Sequence, residues 1–212
     1  MAKARKVRAV GAKKTWFPIV APKSFNSQVV GEIFIAEPSS AVGRLVPVNL
    51  MNLTGDMRRQ NVNIIFKINN VTGNKAYTET IGYEILTSSI KRLVKRAKNK
   101  VDYSFTAETA DNYKVKIKVL MITIALTKLS TLTSLRNAAK ENVRKTLSKM
   151  KYEDFVSELV NYKIQLTLKK QLSKVYPLRN CEIRSMRIMH RAKAPVEEKP
   201  KAKPKKEEKK SA

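Results

Sequence analysis

The chain holds one cysteine, Cys181, and one histidine, His190, in 212 residues. A single thiol closes no intramolecular disulfide, so the fold must stand without cross-links, and a reducing compartment is favoured. One histidine and one cysteine fall short of a structural zinc site. They also leave no Ser-His-Asp or Cys-His relay to activate a nucleophile. Glycine is scarce too: Gly11, Gly31, Gly43, Gly55, Gly73 and Gly82 are all there are, and their spacing matches neither of the glycine-rich loops that cradle phosphates. The longest apolar run, Val119 to Leu126 with Thr123 inside it, is far short of a membrane span. The N-terminus lacks the apolar stretch of a secretory signal. These absences argue against an enzyme, a metal or cofactor, a small-molecule substrate and a membrane partner, and they favour the cytoplasm.

Acidic residues are the remaining scarcity. Seventeen Asp and Glu face 44 Lys and Arg, a formal charge of +27. Self-repulsion on that scale opposes a compact state unless a polyanion relieves it, and nucleic acid is the commonest such partner. The excess is not confined to a tail. Residues 1–14 hold six basic and no acidic residues, and residues 191–212 hold nine basic and four acidic ones. That leaves 29 basic and 13 acidic residues between them, so the folded body is itself cationic.

Three zones follow from the pattern. A basic arm covers 1–14, a patterned body 15–190, and a Lys/Pro/Glu-rich tail 191–212 whose lone branched aliphatic, Val196, cannot repay the entropy of ordering. The body opens with strand-like pieces at Trp16–Val20, Val30–Ala36 and Arg44–Leu50, with Pro18 marking the first as an edge or irregular strand. Asn61–Asn70 and Lys75–Glu84 read as a hairpin around Val71-Thr72-Gly73-Asn74. Val101–Ala107 alternates with polar residues, and Ala110-Asp111-Asn112 turns the chain into a strand from Tyr113 to about Thr127. Helices are expected from Thr87 through Ala97, from about Thr131 to Met150, and from Tyr152 to Val175 with a break near Asn161. A last strand follows Pro177. The class is α+β, an antiparallel barrel or sandwich of six or seven strands with packed amphipathic helices. Glu153 and Asp154 are adjacent, so a helix turns them apart, and they fit a helix start better than an acid/base pair.

The cations fall into stripes. On the first helix Lys91, Arg92, Lys95 and Arg96 lie opposite the apolar Ile90, Leu93, Val94 and Ala97, with Lys98 beyond, and no acid relieves them. A helix needing only solubility would mix signs at i,i+4. Lys114, Lys116 and Lys118 alternate with Val115, Ile117 and Val119, placing three ammoniums on one face of a strand. Arg136, Lys140 and Arg144 follow at i+4 steps on the second helix, and Arg179, Arg184 and Arg187 lie along the last strand. In the arm the candidates are Lys3, Arg5, Lys6, Arg8, Lys13 and Lys14. Cations on several surfaces suit a chain embedded among RNA segments, making sequence-independent backbone contacts. Among fourteen aromatics, Trp16, Phe17, Phe25 and Tyr113 are candidates for stacking on bases.

Short motifs then add a resemblance. Lys14-Thr15-Trp16-Phe17, Val20-Ala21-Pro22 and Phe25 are similar to the opening signature of a small-subunit ribosomal protein family of archaea and eukaryotes, the S-three-A-e or e-S-one family. Asn52-Leu53-Thr54-Gly55-Asp56, Val71-Thr72-Gly73-Asn74-Lys75, Asp111-Asn112-Tyr113, Tyr176-Pro177-Leu178-Arg179 and Glu182-Ile183-Arg184 follow in the family's order, so the resemblance runs from about Lys14 to Met189. It implies a β-barrel body with packed helices on the subunit platform, near the messenger RNA exit. The implied partners are small-subunit ribosomal RNA, neighbouring platform proteins and messenger RNA, and the implied role is structural, in translation and subunit assembly. The length is similar to that of the archaeal branch. Asn112 stands where the family carries glycine, and asparagine tolerates the left-handed turn expected there. The alternative is a free nucleic-acid-binding regulator or chromatin protein, but neither a basic zipper nor a helix-turn-helix is present to read DNA.

Overall fold

A computed structural model describes residues 13–191. The aromatic-rich segment after the arm forms β1 (Thr15–Val20), which pairs antiparallel with β2 (Val29–Ile35) along its whole length. β3 (Leu45–Asn49) leads into a one-turn helix, α1 (Leu50–Thr54). The Asn49 side chain caps it by accepting from the Met51 backbone N–H, and Gly55 closes it at φ 71°. β4 (Val62–Thr72) and β5 (Lys75–Ile85) form the expected hairpin, with Gly73 left-handed at the turn. α2 (Thr87–Leu93) crosses to a second long hairpin, β6 (Lys100–Glu108) and β7 (Tyr113–Thr123). α3 (Leu129–Leu147), α4 (Tyr152–Val160) and α5 (Lys163–Leu172) follow, and β8 (Leu178–Arg191) ends the described chain. No helix among the described residues is long and apolar enough to cross a membrane.

The eight strands make one sheet in the order β2-β1-β5-β8-β7-β6, with β3 and β4 continuing from β5. The count of six or seven becomes eight because the last strand, expected after Pro177, forms in full as β8 and inserts between β5 and β7. The sheet does not close, so the barrel among the expectations gives way to a sandwich-like α+β layering. β1 fits the irregular strand that Pro18 predicted. It carries a register shift at Ile19/Val20 and touches β5 at two residue pairs only.

The helices bury one stripe each. Leu132, Leu135, Ala139, Val143 and Leu147 of α3 join Phe155 and Leu159 of α4 and Leu168 and Leu172 of α5 in the main core. Against them stand Val101 and Phe105 of β6, Val115, Ile117 and Val119 of β7, and Ile183 and Met186 of β8. Burying each such leucine or isoleucine is worth about 1.5–3 kcal/mol before entropy is counted. A smaller core of Phe17, Ile19, Ile35, Ala41, Ile68 and Ala76 lies beneath the β1–β2 hairpin.

The first helix departs from its predicted length. It stops at Leu93: Val94 is extended (ψ 120°) and Ala97 is left-handed (φ 57°). The reason is tertiary: the fourteen residues after Ile85 pass β8 and β7 to reach β6, and they must deliver Asn99 to the end of β7. The extended exit is anchored where Asn99 N–H donates to Thr123 Oγ1 (3.0 Å) and the Thr123 N–H donates to Asn99 O (3.1 Å). That anchor also ends β7 at Thr123 rather than Thr127. Lys95 and Arg96 therefore occupy a turn, not a helix face.

Candidate nucleic-acid interface

The turn expected at Asp111-Asn112-Tyr113 sets the register of the basic strand. Asn112 takes φ 60°, its N–H donates to Thr109 O, and Thr109 N–H donates to Tyr113 O. From there Lys114, Lys116 and Lys118 point away from the core that Val115, Ile117 and Val119 enter. On one side they face Glu108, Thr106 and Ser104 of β6. On the other, Lys116 faces Arg187 and Lys118 faces Ser185 of β8. The sheet thus gathers three lysines and Arg187 onto one outer surface, with Arg184 placed beside them by the register shift at Lys118/Val119.

Gly82 helps to set this surface. A Cβ there would lie 3.0 Å from Met186 O and 3.4 Å from Arg187 Cγ, so a larger residue would press on the β8 backbone and on the Arg187 stem. Carboxylates hold part of the charge. Arg187 pairs with Glu84 (2.9 Å), Arg184 with Asp102 (2.5 Å) and Lys114 with Glu108 (3.4 Å). Lys100 reaches Asp102 at 3.8 Å. Lys116 and Lys118 have no ion pair among the described residues. Six cations therefore share the surface with three carboxylates, and the excess is available to phosphates.

The helical stripe meets the same surface. Arg144 donates to Thr106 O (3.4 Å) on the outer edge of β6. A groove of about 490 Å³, lined by Thr106, Ala107, Glu108, Lys114, Arg144, Lys145 and Ser148, runs between the end of α3 and the β6–β7 hairpin. Lys114 of the strand and Arg144 of the helix, separate stripes in the sequence, share it. Arg136 and Lys140 are half-buried and continue up α3.

The other candidates scatter. Lys91 and Arg92 are exposed on α2, with Arg92 held by Asn61 Oδ1 at 2.8 Å, and Lys95, Arg96 and Lys98 occupy the loop beyond it. Arg179 lies at the start of β8, eight residues from Arg187 and so about 26 Å along the strand. Its carbonyl accepts from Lys169 Nζ at 2.8 Å. Lys13 and Lys14 are exposed at the entry to β1. Lys3, Arg5, Lys6 and Arg8 lie outside the described residues.

Of the stacking candidates, Phe17 and Phe25 are in the cores. Tyr113 packs on Tyr152 with ring centroids 5.5 Å apart. Trp16 alone remains largely exposed, against Phe34 of β2. Phe34 was missed in the sequence because Ile33 and Ile35 flank it, so both faces of the strand read as apolar and alternation could not say which one turns outward.

Glu153 and Asp154 sit in the first turn of α4 as expected. Burial and the nearby Glu182 carboxylate push the Cys181 thiol up to about 12, against the opposing pull of Lys169, so it stays a protonated, buried thiol at neutral pH. Burial also lifts the Glu182 carboxyl above its ordinary value, and the Tyr162 hydroxyl that donates to it (3.4 Å) opposes this only in part. A carboxyl that holds its proton more tightly when folded stabilises the fold fully below its unfolded pKa. That contribution is lost as pH rises through the folded value. Glu182→Gln is accordingly expected to raise the unfolding midpoint at neutral pH and to lose this advantage below the ordinary glutamate range. A variant less stable than the parent at pH 7 in thermal melts would contradict that assignment.

Comparison with known proteins gives the family. The ribosomal S3Ae family model matches residues 2–192. The small ribosomal subunit protein eS1 of Methanothermobacter thermautotrophicus is 34% identical over 191 residues, 89% of this chain and 98% of that protein. Its namesake in Methanothrix thermoacetophila is 32% identical over 89% of this chain and 90% of its own length. That of Methanobrevibacter smithii is 29% identical over 90% of this chain and all of its own. With the model matched over nearly its whole length and relatives that align end to end, the chain belongs to the ribosomal S3Ae family.

Proposed function

We propose that the chain is a structural protein of the small ribosomal subunit that binds ribosomal RNA by neutralising phosphates. Family membership makes it a ribosomal protein of the cytoplasm rather than an enzyme. The finer reading rests on one observation, the convergence of Lys114, Lys116, Lys118 and Arg187 with Arg144 and Lys145 around the β6–β7 end of the sheet. Such a surface grips backbone phosphates without reading bases. The scattered cations of α2, its following loop and the start of β8 then engage other RNA segments, as a protein wedged among helices would. Platform placement near the messenger RNA exit, contact with neighbouring platform proteins and a role in assembly complete the proposal.

Sedimentation of a cell lysate tests it. The protein is expected to travel with small subunits through high-magnesium washes. Recovery chiefly as a slow, free species would favour the regulator or chromatin reading instead.

A further inference from the structure

We infer that Trp16 and Phe34 form a stacking platform for an unpaired RNA base, deepening the phosphate-binding reading on which the inference rests. Trp16 of β1 and Phe34 of β2 are register partners on the face opposite the Phe17–Ile35 core. They remain 59% and 46% exposed although both are large apolar residues. Their rings are 4.7 Å apart and tilted by 35°, so each holds the other upright on the sheet. Lys14 Nζ sits over the Phe34 ring, 5.8 Å from its centroid.

Charge selects the occupant. Lys14 adjoins the rings, and the fourteen residues through Lys14 contain six cations and no acid. Glu32, which faces Pro18 across the same hairpin, is the single carboxylate on the outer face of these two strands. An aromatic pair with a cation beside it and a cationic approach is how sequence-tolerant single-strand binders hold bases. A neutral apolar protein partner would leave those cations unmatched. Duplex RNA, whose bases are already stacked, offers the indole no face.

Trp16 is the only tryptophan, so its emission reports this spot alone. The full chain is titrated with single-stranded oligoadenylate, with an abasic ribose-phosphate oligomer of equal length, and with an RNA duplex. Oligoadenylate is expected to quench the indole saturably, while the abasic oligomer and duplex bind without quenching. Trp16→Ala is expected to weaken oligoadenylate binding roughly 5- to 150-fold, the worth of one stacked base, while the slope of log affinity against log salt stays unchanged. Phe34→Ala keeps the reporter and should reduce both quenching and affinity. Binding with full salt dependence but no indole response sinks the platform and leaves the phosphate reading standing. An equal response to the abasic oligomer sinks the platform too, and failure to bind any of the three RNAs sinks both.

Discussion

Lys114, Lys116, Lys118 and Arg187 replaced together by glutamine are expected to reduce the slope of log affinity for ribosomal RNA against log salt by about 3, at roughly 0.7–0.9 for each phosphate the four side chains no longer neutralise. Near 0.1 M salt that corresponds to roughly a thousandfold weaker binding, shrinking toward nothing near 1 M. The physical reason is counterion release: each ammonium or guanidinium seated on a phosphate frees a condensed cation, and the quartet comprises three alternate positions of β7 with Arg187 of β8 paired to the middle one, Lys116. Glutamine removes charge while keeping much of the stem that covers the sheet. The fold should survive, because the two ion pairs removed, Lys114–Glu108 and Arg187–Glu84, lie on the surface and are worth about 0–1 kcal/mol each. Circular dichroism checks that point, and filter binding at several salt concentrations checks the slope. An unchanged slope in a folded variant would remove this surface from the RNA interface.

The second large effect concerns the core. Phe66→Ala is expected to cost about 3–5 kcal/mol in urea unfolding, a large share of the roughly 5–15 kcal/mol typical of a domain. Phe66 sits fully buried in the middle of β4 and meets Phe25 edge to face, with centroids 5.7 Å apart at 78°. The substitution deletes the ring from the main core and strands Phe25, which fastens the segment between β1 and β2 to the sheet. Phe66→Leu keeps most of the volume and should be far less destabilising. A Phe66→Ala protein within about 1 kcal/mol of the parent would mean the core collapses around the gap.

Local features were readable where local physics rules. The β4–β5 hairpin follows from alternation and from Gly73, and the β6–β7 turn from the tolerance of Asn112 for a left-handed backbone. The break near Asn161 was legible as well, and Tyr162 is left-handed there, at φ 64°. Lys114, Lys116 and Lys118 share a face because a strand has period two, whatever surrounds it. The end of α2 was not legible: its helical periodicity continues to Ala97 and yields to the anchoring of Asn99 on Thr123 at the end of β7. The outward turn of Phe34 and the burial of Glu182 beside Tyr162 were equally hidden, since each depends on segments distant in the chain.

Composition and local pattern alone establish a cationic α+β body with a single histidine and a single cysteine, since charge, period and the count of reactive side chains need no third dimension. Long-range pairing does the rest. By inserting β8 between β5 and β7 it joins the two long hairpins into one sheet and carries Arg187 beside Lys116, and by pairing β1 with β2 it leaves Trp16 and Phe34 facing outward. Which cations become neighbours is a matter of strand order, and strand order is set by burial of the whole core, not by any one segment.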